Sequence, residues 1–321
     1  SEVVFLGKPP ATTILMRAFK EVRPHVILTV PLLIEKIYKA AVVPTLRDNP
    51  KISKLYKNPL TKWIVLKTVK AKLVSTMGGC MKFFGIGGAP LDSTVWDFLY
   101  SCHFPYALGY GLTETSPLIA GCGPKHKMHK KGYIGKPVKH DDVILLDKNE
   151  EGVGEIAVKG PNVMTGYYNN EELNKEVFTP EGYFKTGDLG YIDKHGYLSI
   201  RGRVKTMILG PAGENIYPES IESIINNMEF VQESLVVPGD GGLVALIKVD
   251  LEAMQEKLKI SAEEVKNEAE KYLVKLKKTV NEQLSSFSKI SDTELQERDF
   301  ERTPTQKIKR FLYSRKKKED K

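Results

Sequence analysis

At 321 residues, 41% hydrophobic and 27% charged, the chain has a globular composition with enough apolar content for two or more compact units, which excludes a disordered or fibrous class. Its longest apolar run, Val26 to Ile34, is well short of the roughly eighteen residues a membrane span needs, and Cys80, Cys102 and Cys122 are too few and too scattered for a disulfide framework or zinc site, so they read as reduced thiols of a cytoplasmic protein. The net charge of +8 is concentrated at the C-terminus, where eight Lys/Arg between Lys307 and Lys321 face only Glu319 and Asp320; with only Phe311 and Tyr313 interleaved, this tail predicts no nucleic-acid partner, and it reads as a solvated end able to attract anionic lipid or other phosphate groups.

In chain order, Thr12 to Val22 has helical spacing, His25 to Val30 is a β-rich run, Pro31 opens a helix to about Val43, and Thr61 to Val74 predicts another helix. Ser75-Thr76-Met77-Gly78-Gly79 reads as a tight turn. Met81 to Ile86 then predicts a buried strand, Leu91 to His103 a helix, and Pro105 to Leu108 a second strand. This alternation implies a parallel α/β sheet whose ligand loops leave the strand C-terminal ends, so Gly85 to Pro90 and Gly109 to Thr115 are expected to flank one crevice.

From about His126 the pattern changes to short strands, at Val143 to Leu146, Gly154 to Lys159, Gly190 to Ile192 and Tyr197 to Ile200, which predict a small β-barrel or folded sheet. His126 and His129 read as surface residues. After Arg203 come Thr206 to Leu209, a glycine loop, a helix from Pro218 to about Met228, and strands at Glu233 to Val237 and Leu243 to Val249, an α+β unit. Ser261 and Glu264 form a capping box, and Val265, Ala269, Tyr272, Leu276 and Val280 make one apolar helical stripe. The fold class is therefore α/β, with a parallel α/β sheet at 1–125, a β-barrel subdomain at 126–204 and an α+β domain at 205–321; the family resemblance carried by the motifs that follow implies that the first two form a truncated large domain with a partial sheet and that the last is mobile.

The most informative stretch is Gly109-Tyr110-Gly111-Leu112-Thr113-Glu114-Thr115. Tyr110 offers a flat face for a purine, Thr113 a hydroxyl for a phosphate oxygen, and Glu114 a hard oxygen ligand for Mg²⁺. Taken alone, the heptapeptide reads more readily as a turn. It stands, however, in a fixed order with Gly85-Ile86-Gly87-Gly88-Ala89-Pro90 upstream and Gly154-Glu155-Ile156-Ala157-Val158, Tyr183-Phe184-Lys185-Thr186-Gly187-Asp188 and Gly196 to Lys205 downstream. Gly213 to Glu222 and Pro304-Thr305-Gln306-Lys307-Ile308-Lys309-Arg310 complete it.

This order resembles the adenylate-forming superfamily of acyl-CoA synthetases, luciferases and peptide-synthetase adenylation domains, and within it bacterial long-chain fatty acyl-CoA synthetases, from about Phe83 onward. The resemblance implies that Tyr110 and Gly111 lie against adenine, with Gly87, Gly88 and Ala89 lining the other side, that Thr113 holds phosphate, and that Glu114 binds Mg²⁺. It implies that Asp188 accepts both ribose hydroxyls, Arg203 contacts ribose or phosphate, and Lys205 is the hinge, where many members carry aspartate. Lys307 would be the catalytic lysine at the α-phosphate, in Thr305-Gln306-Lys307 where the family has glycine before the lysine. The loop Gly210 to Asn215, with Gly213, would line the pantetheine channel of CoA. The implied reactants are a fatty acid, ATP and CoA, with AMP as product, in a cytoplasmic protein with room for peripheral contact at the inner membrane face.

One family element is missing from the sequence: the Ser/Thr/Gly-rich phosphate loop ending in Pro-Lys-Gly. With the opening Ser1-Glu2-Val3-Val4-Phe5 falling in mid-pattern, the chain reads as the C-terminal part of a longer synthetase, inactive alone and prone to self-association through its truncated face. Two other readings stay open: an acyl-carrier-protein ligase or peptide-synthetase-like adenylating enzyme, and a non-catalytic nucleotide-binding module.

Overall fold

A computed structural model describes residues 12–210, 213–303 and 308–313. The chain divides into two compact units, 1–200 and 201–321. In the first, α1 (Thr12–Val22) leads into β1 (Val26–Thr29), and the proline-initiated α2 (Pro31–Ile37) continues through a π turn over Tyr38–Val42 into α3 (Val43–Arg47). The predicted helix thus runs four residues beyond Val43, because Pro44 falls in the first turn of α3, where its missing N–H costs nothing. A helix absent from the sequence reading, α4 (Pro50–Lys57), is capped by Asn49, whose side chain accepts from the Lys51 and Ile52 N–H groups. Asn58 caps α5 (Pro59–Thr76) in the same way. Both caps are Asn-Pro pairs, one residue satisfying orphan donors and the next presetting φ. Of the expected turn at Ser75 to Gly79, Ser75 and Thr76 still belong to α5, and the turn itself is made by Met77, Gly78 (φ +93°) and Gly79 (φ +77°).

β2 (Phe83–Ile86), α6 (Ser93–Ser101) and β3 (Tyr106–Gly111) complete the α/β layer, with β1, β2 and β3 adjacent and parallel. The sheet is extended by antiparallel β4 (Leu118–Gly121) and β5 (Lys136–Pro137). Ile34, Leu66, Leu73, Phe84, Leu99 and Tyr106 form the core beneath it. On β1, Ile27 is buried while Val26 and Leu28 are exposed on the edge strand.

The histidines depart from the surface reading. His126 and His129 are partly buried; the His103 and His126 rings stack with centroids 3.7 Å apart. His129 tilts against Tyr106, with Nδ1 3.6 Å from Cys122 Sγ. Gly121, Cys122 and the short helical turn at His126–Met128 fold this segment back over β3, which a sequence pattern of isolated histidines does not reveal.

The second sheet has the order β6 (Asp142–Leu146), β7 (Gly154–Lys159), β8 (Phe184–Ile192) and β9 (Leu198–Arg203), with α7 (Glu171–Val177) between β7 and β8. Of the two expected forms, barrel or folded sheet, the hydrogen bonding gives an open four-strand order. Ile119, Ile156, Val158, Phe184 and Leu198 pack together and tie it to β4.

In the second unit, β10 (Ile208–Leu209) and β11 (Asn215–Ile216) pair around the glycine loop, and α8 (Pro218–Asn226) follows. A three-stranded sheet is built from β12 (Val231–Gly239), β13 (Gly242–Val249) and β14 (Ile290–Leu295), with α9 (Leu251–Leu258) and α10 (Glu264–Asn281) between the last two. Strand alternation sends Val236, Ala245 and Ile247 toward the helices and Leu235, Val237, Val244 and Leu246 toward Phe300. Ser261 and Glu264 make the reciprocal capping contacts expected. The buried stripe of α10 uses Leu273, not Tyr272; Tyr272 stands at the edge of the core, its ring edge-on to Phe230.

Beneath α8, Arg310 grips Glu222 with both terminal nitrogens, Nη1 to Oε1 at 2.7 Å. Glu222 also accepts from the Val236 N–H at 2.7 Å. Burial pushes the Glu222 carboxyl up from its ordinary 4.5, and Arg310 opposes that shift.

Arg310→Met leaves the Glu222 carboxylate unpaired and should cost about 3–5 kcal/mol of second-unit stability in urea unfolding. Glu222→Gln combined with Arg310→Met, which keeps an acceptor for Val236, should recover most of that; a cost below about 1 kcal/mol for the single change would contradict the pair's role. His126 and His129 are both held below the ordinary 6.5, chiefly by burial. The unfolded chain therefore binds more protons just under pH 6.5, so their contribution to first-unit stability is full above that pH and is lost as pH falls through the lowered folded values. Replacing both by Gln should flatten the dependence in that window.

Candidate nucleotide site

The first unit builds its site where the β3 end, the loop after β2 and a kink in β8 meet. Gly87 follows β2, its N–H bonded to the Thr29 carbonyl at 3.1 Å. A Cβ there would stand 3.2 Å from the Gly109 carbonyl, so the loop after β2 runs close beside β3. Gly88 lies at φ +85° and, like Ala89, is exposed. The two predicted loops therefore do flank one region, although Gly109, Tyr110 and Gly111 belong to the strand itself and not to a loop after it. The apolar run simply continues through them, because Gly111 meets the returning chain: a Cβ would lie 1.7 Å from the Pro117 carbonyl oxygen.

A short helical turn at Thr113–Thr115 follows. Thr113 is exposed, Glu114 half-buried and Thr115 fully buried. Thr115 Oγ1 accepts from the Leu112 N–H at 3.1 Å and lies 2.9 Å from the Pro117 carbonyl, so it pins the turn. Sequence reasoning assigned Thr115 nothing; its interior role leaves no periodic signal. Glu114 Oε1 accepts from the Tyr167 hydroxyl at 2.9 Å, and the Glu114 carbonyl accepts from Met164 N–H. Partial burial and then the Glu114 carboxylate push the Tyr167 hydroxyl above its ordinary 10.0. Tyr167, 53 residues away, was also missed; it lies on an irregular segment with no pattern to read.

Asp188 reaches this region through a bulge. Glu155 pairs with Leu189 and Ala157 with Lys185, so Ile156 alone faces Thr186, Gly187 and Asp188. Gly187 takes φ +72°, which only glycine adopts without strain. Thr186 Oγ1 donates to the Ile156 carbonyl at 2.8 Å and accepts from the Asp188 N–H at 3.1 Å. Glu155 Oε1 accepts from the Gly187 N–H at 3.0 Å. The Thr-Gly-Asp triplet is thus a self-closing bulge that re-aims one carboxylate. That carboxylate is 5% exposed and accepts from the Tyr110 hydroxyl at 2.9 Å, across 78 residues of sequence.

The structure brings together Gly87, Gly88, Tyr110, Gly111 and Asp188, with Thr113 and Glu114 on the adjoining turn. Arg203, Lys205 and Gly213 belong to the second unit. There the Arg203 carbonyl accepts from both the Thr206 and Met207 N–H groups, forming a turn on which Lys205 is exposed. Gly213 (φ +89°) donates its N–H to the Gly210 carbonyl. Lys307 lies outside the described residues, as do Pro211 and Ala212 of the glycine loop. Its flanks are described: Arg302 and Ile308 form an antiparallel bridge.

Residues 1–168 match the family model of the AMP-binding enzyme. The chain belongs to that family. It is 31% identical over 272 residues to the peroxisomal long chain acyl-CoA synthetase 7 of Arabidopsis thaliana, covering 75% of this chain and 38% of that protein. It is 32% identical over 216 residues to a 2-succinylbenzoate–CoA ligase of Listeria innocua, covering 66% of this chain and 43% of the relative. The matched stretch spans less than half the length of either relative. Its fold matches the crystal structure of ATP-bound MatB from Rhodopseudomonas palustris with a TM-score of 0.66 at 25% identity, over 96% of this chain and 53% of that one.

The Tyr110–Asp188 contact is open to direct measurement. Tyr110→Phe removes one hydrogen bond from a buried carboxylate and should lower first-unit stability by about 1–3 kcal/mol in urea unfolding. Asp188→Asn with Tyr110→Phe should cost less than the sum of the single changes. Additive losses would mean that the two side chains act separately.

Proposed function

We propose that the chain carries adenine-nucleotide chemistry of an ATP-dependent acid–thiol ligase acting on long-chain fatty acids. In that reaction the carboxylate attacks the α-phosphate of ATP, pyrophosphate leaves, and the CoA thiol then displaces AMP from the acyl-adenylate. The observation that carries the reading is the Tyr110–Asp188 hydrogen bond beside Gly87: an aromatic face, a close-approach glycine backbone and a buried carboxylate converge, as adenosine requires. A carboxylate accepts up to about four hydrogen bonds, so the tyrosyl donor does not exclude ribose hydroxyls.

Thr113 and Glu114 would face the phosphates. Mg²⁺ is commonly held by one or two carboxylates plus phosphate oxygens, so Glu114, steadied by Tyr167, suits an ion shared with the nucleotide; bound there, the ion would neutralise developing phosphate charge. Arg203 would contact ribose or phosphate, and Lys307 the α-phosphate, while Lys205 would serve as the pivot and the loop containing Gly213 as the thiol channel. The long-chain assignment draws on the sequence order and on the plant acyl-CoA synthetase relative. The 2-succinylbenzoate–CoA ligase relative is about as similar and supports an aryl-acid reading as the alternative.

Titration calorimetry of the chain with AMP tests the reading. Binding is expected, and Asp188→Asn should weaken it about tenfold or more through loss of charge-assisted bonds. Absence of binding at millimolar AMP, or an Asp188→Asn variant that binds like the parent, would refute it. Because its sequence has no Ser/Thr/Gly-rich phosphate loop, the chain alone should not turn fatty acid, ATP and CoA into acyl-CoA. In a protein of the relatives' full length carrying these residues, pyrophosphate exchange with palmitate against 2-succinylbenzoate would separate the two substrate readings, and Lys307→Ala should slow exchange by about 10²–10³.

A further inference from the structure

The helical hairpin of α4 and α5 has a charge pattern that the nucleotide chemistry does not use. From Pro50 to Thr76 the sequence carries seven lysines and no acidic residue. Lys51, Lys54, Lys57, Lys62, Lys67 and Lys72 are exposed; Lys70 alone turns inward, its Nζ 2.6 Å from the His103 carbonyl. No carboxylate pairs with any of the six among the described residues, and Asp48, the acidic residue just before the hairpin, pairs with Arg47.

Between these cations lies apolar surface that packing does not explain. Val65, Leu66, Val69 and Leu73 are the buried side of α5. Leu60, Trp63, Ile64 and Lys67 follow one another at helical spacing on the other side. There Leu60 is 82% exposed, Trp63 60% and Ile64 49%, with Leu55 of α4 also exposed at 46%. An interfacial helix has this construction: bulky aliphatic side chains and a tryptophan to enter the headgroup boundary, and long-stemmed lysines to reach the phosphates. A nucleic-acid surface would use several aromatic platforms and gains nothing from Leu60 or Ile64. No helix among the described residues is long and apolar enough to cross a membrane, so contact of this kind would lie along the surface.

We propose that the outward face of the α4–α5 hairpin docks on anionic phospholipid bilayers, with Leu60, Trp63 and Ile64 entering the headgroup boundary and the flanking lysines engaging lipid phosphates. The proposal is independent of the substrate assignment. Its charge complementarity also separates it from docking of a second copy, since the identical basic face would repel itself.

Vesicle co-sedimentation at near-physiological salt tests it, comparing phosphatidylcholine alone with a mixture containing about one quarter phosphatidylserine. The chain should bind the anionic vesicles and release them as salt is raised. Lys62→Glu with Lys67→Glu, and separately Leu60→Ser with Trp63→Ser, should each weaken partitioning about tenfold or more. Brominated acyl chains should quench wild-type fluorescence but not that of Trp63→Phe, which retains Trp96. Three results would overturn the proposal: no binding to anionic vesicles; binding unaffected by both double substitutions, which would assign the attraction to the basic C-terminus; and loss on charge reversal alone, which would mean electrostatic adsorption without insertion. Preferential binding of an oligouridylate that vesicles fail to displace would favour nucleic acid instead.

Discussion

One irregular step in an antiparallel ladder organises the candidate site. Were β7 and β8 paired without interruption, Asp188 would follow the strict alternation of its strand, and its carboxylate could not be chosen independently of Leu189 and Phe184. The three-for-one bulge opposite Ile156 releases it from that alternation, and Thr186, Gly187 and Glu155 satisfy the backbone groups the bulge would otherwise orphan. The cost of interrupting the ladder is thus offset locally, and the result is a buried carboxylate delivered to a tyrosine on another sheet.

That delivery requires β3 and β4 to be placed first. Gly111 and Gly121 let the returning chain pass within backbone contact of β3, since a Cβ at Gly121 would sit 2.7 Å from the Leu108 carbonyl. Val138 and Ile134 then bond to the Ile119 and Leu198 carbonyls, joining the α/β layer to the second sheet. Ile119, Ile156 and Leu198 are each 0% exposed, so apolar packing and the polar contact specify the same arrangement.

The fold was legible where periodicity is strong. β7 and the α10 capping box read directly from sequence, and the parallel β1, β2, β3 layer followed from alternation of apolar runs with helices. The losses have physical causes. α4 is too short and too lysine-rich to show a core stripe, and only its Asn-Pro cap announces it. β8 was truncated to Gly190–Ile192 because Lys185, Thr186 and Gly187 look like a turn, which is what a bulge resembles in one dimension. Around the candidate site, Tyr110, Glu114 and Asp188 were singled out by their ordered motifs. Thr115 and Tyr167 were not, since a buried threonine closing a turn and a tyrosine on an irregular segment act through contacts that spacing does not encode.

Glu219 of α8 has a position whose effect extends past its own helix. Its Oε1 accepts from Thr206 Oγ1 at 2.7 Å, on the turn that follows Arg203, and lies 3.7 Å from Arg310 Nη2 on the segment that follows Ile308. Two stretches of chain separated by about a hundred residues therefore share one acceptor, and neither can change its charge or reach without altering what the other meets. A double-mutant cycle is therefore expected to find Thr206 and Arg310 coupled through Glu219, although the two do not touch each other directly.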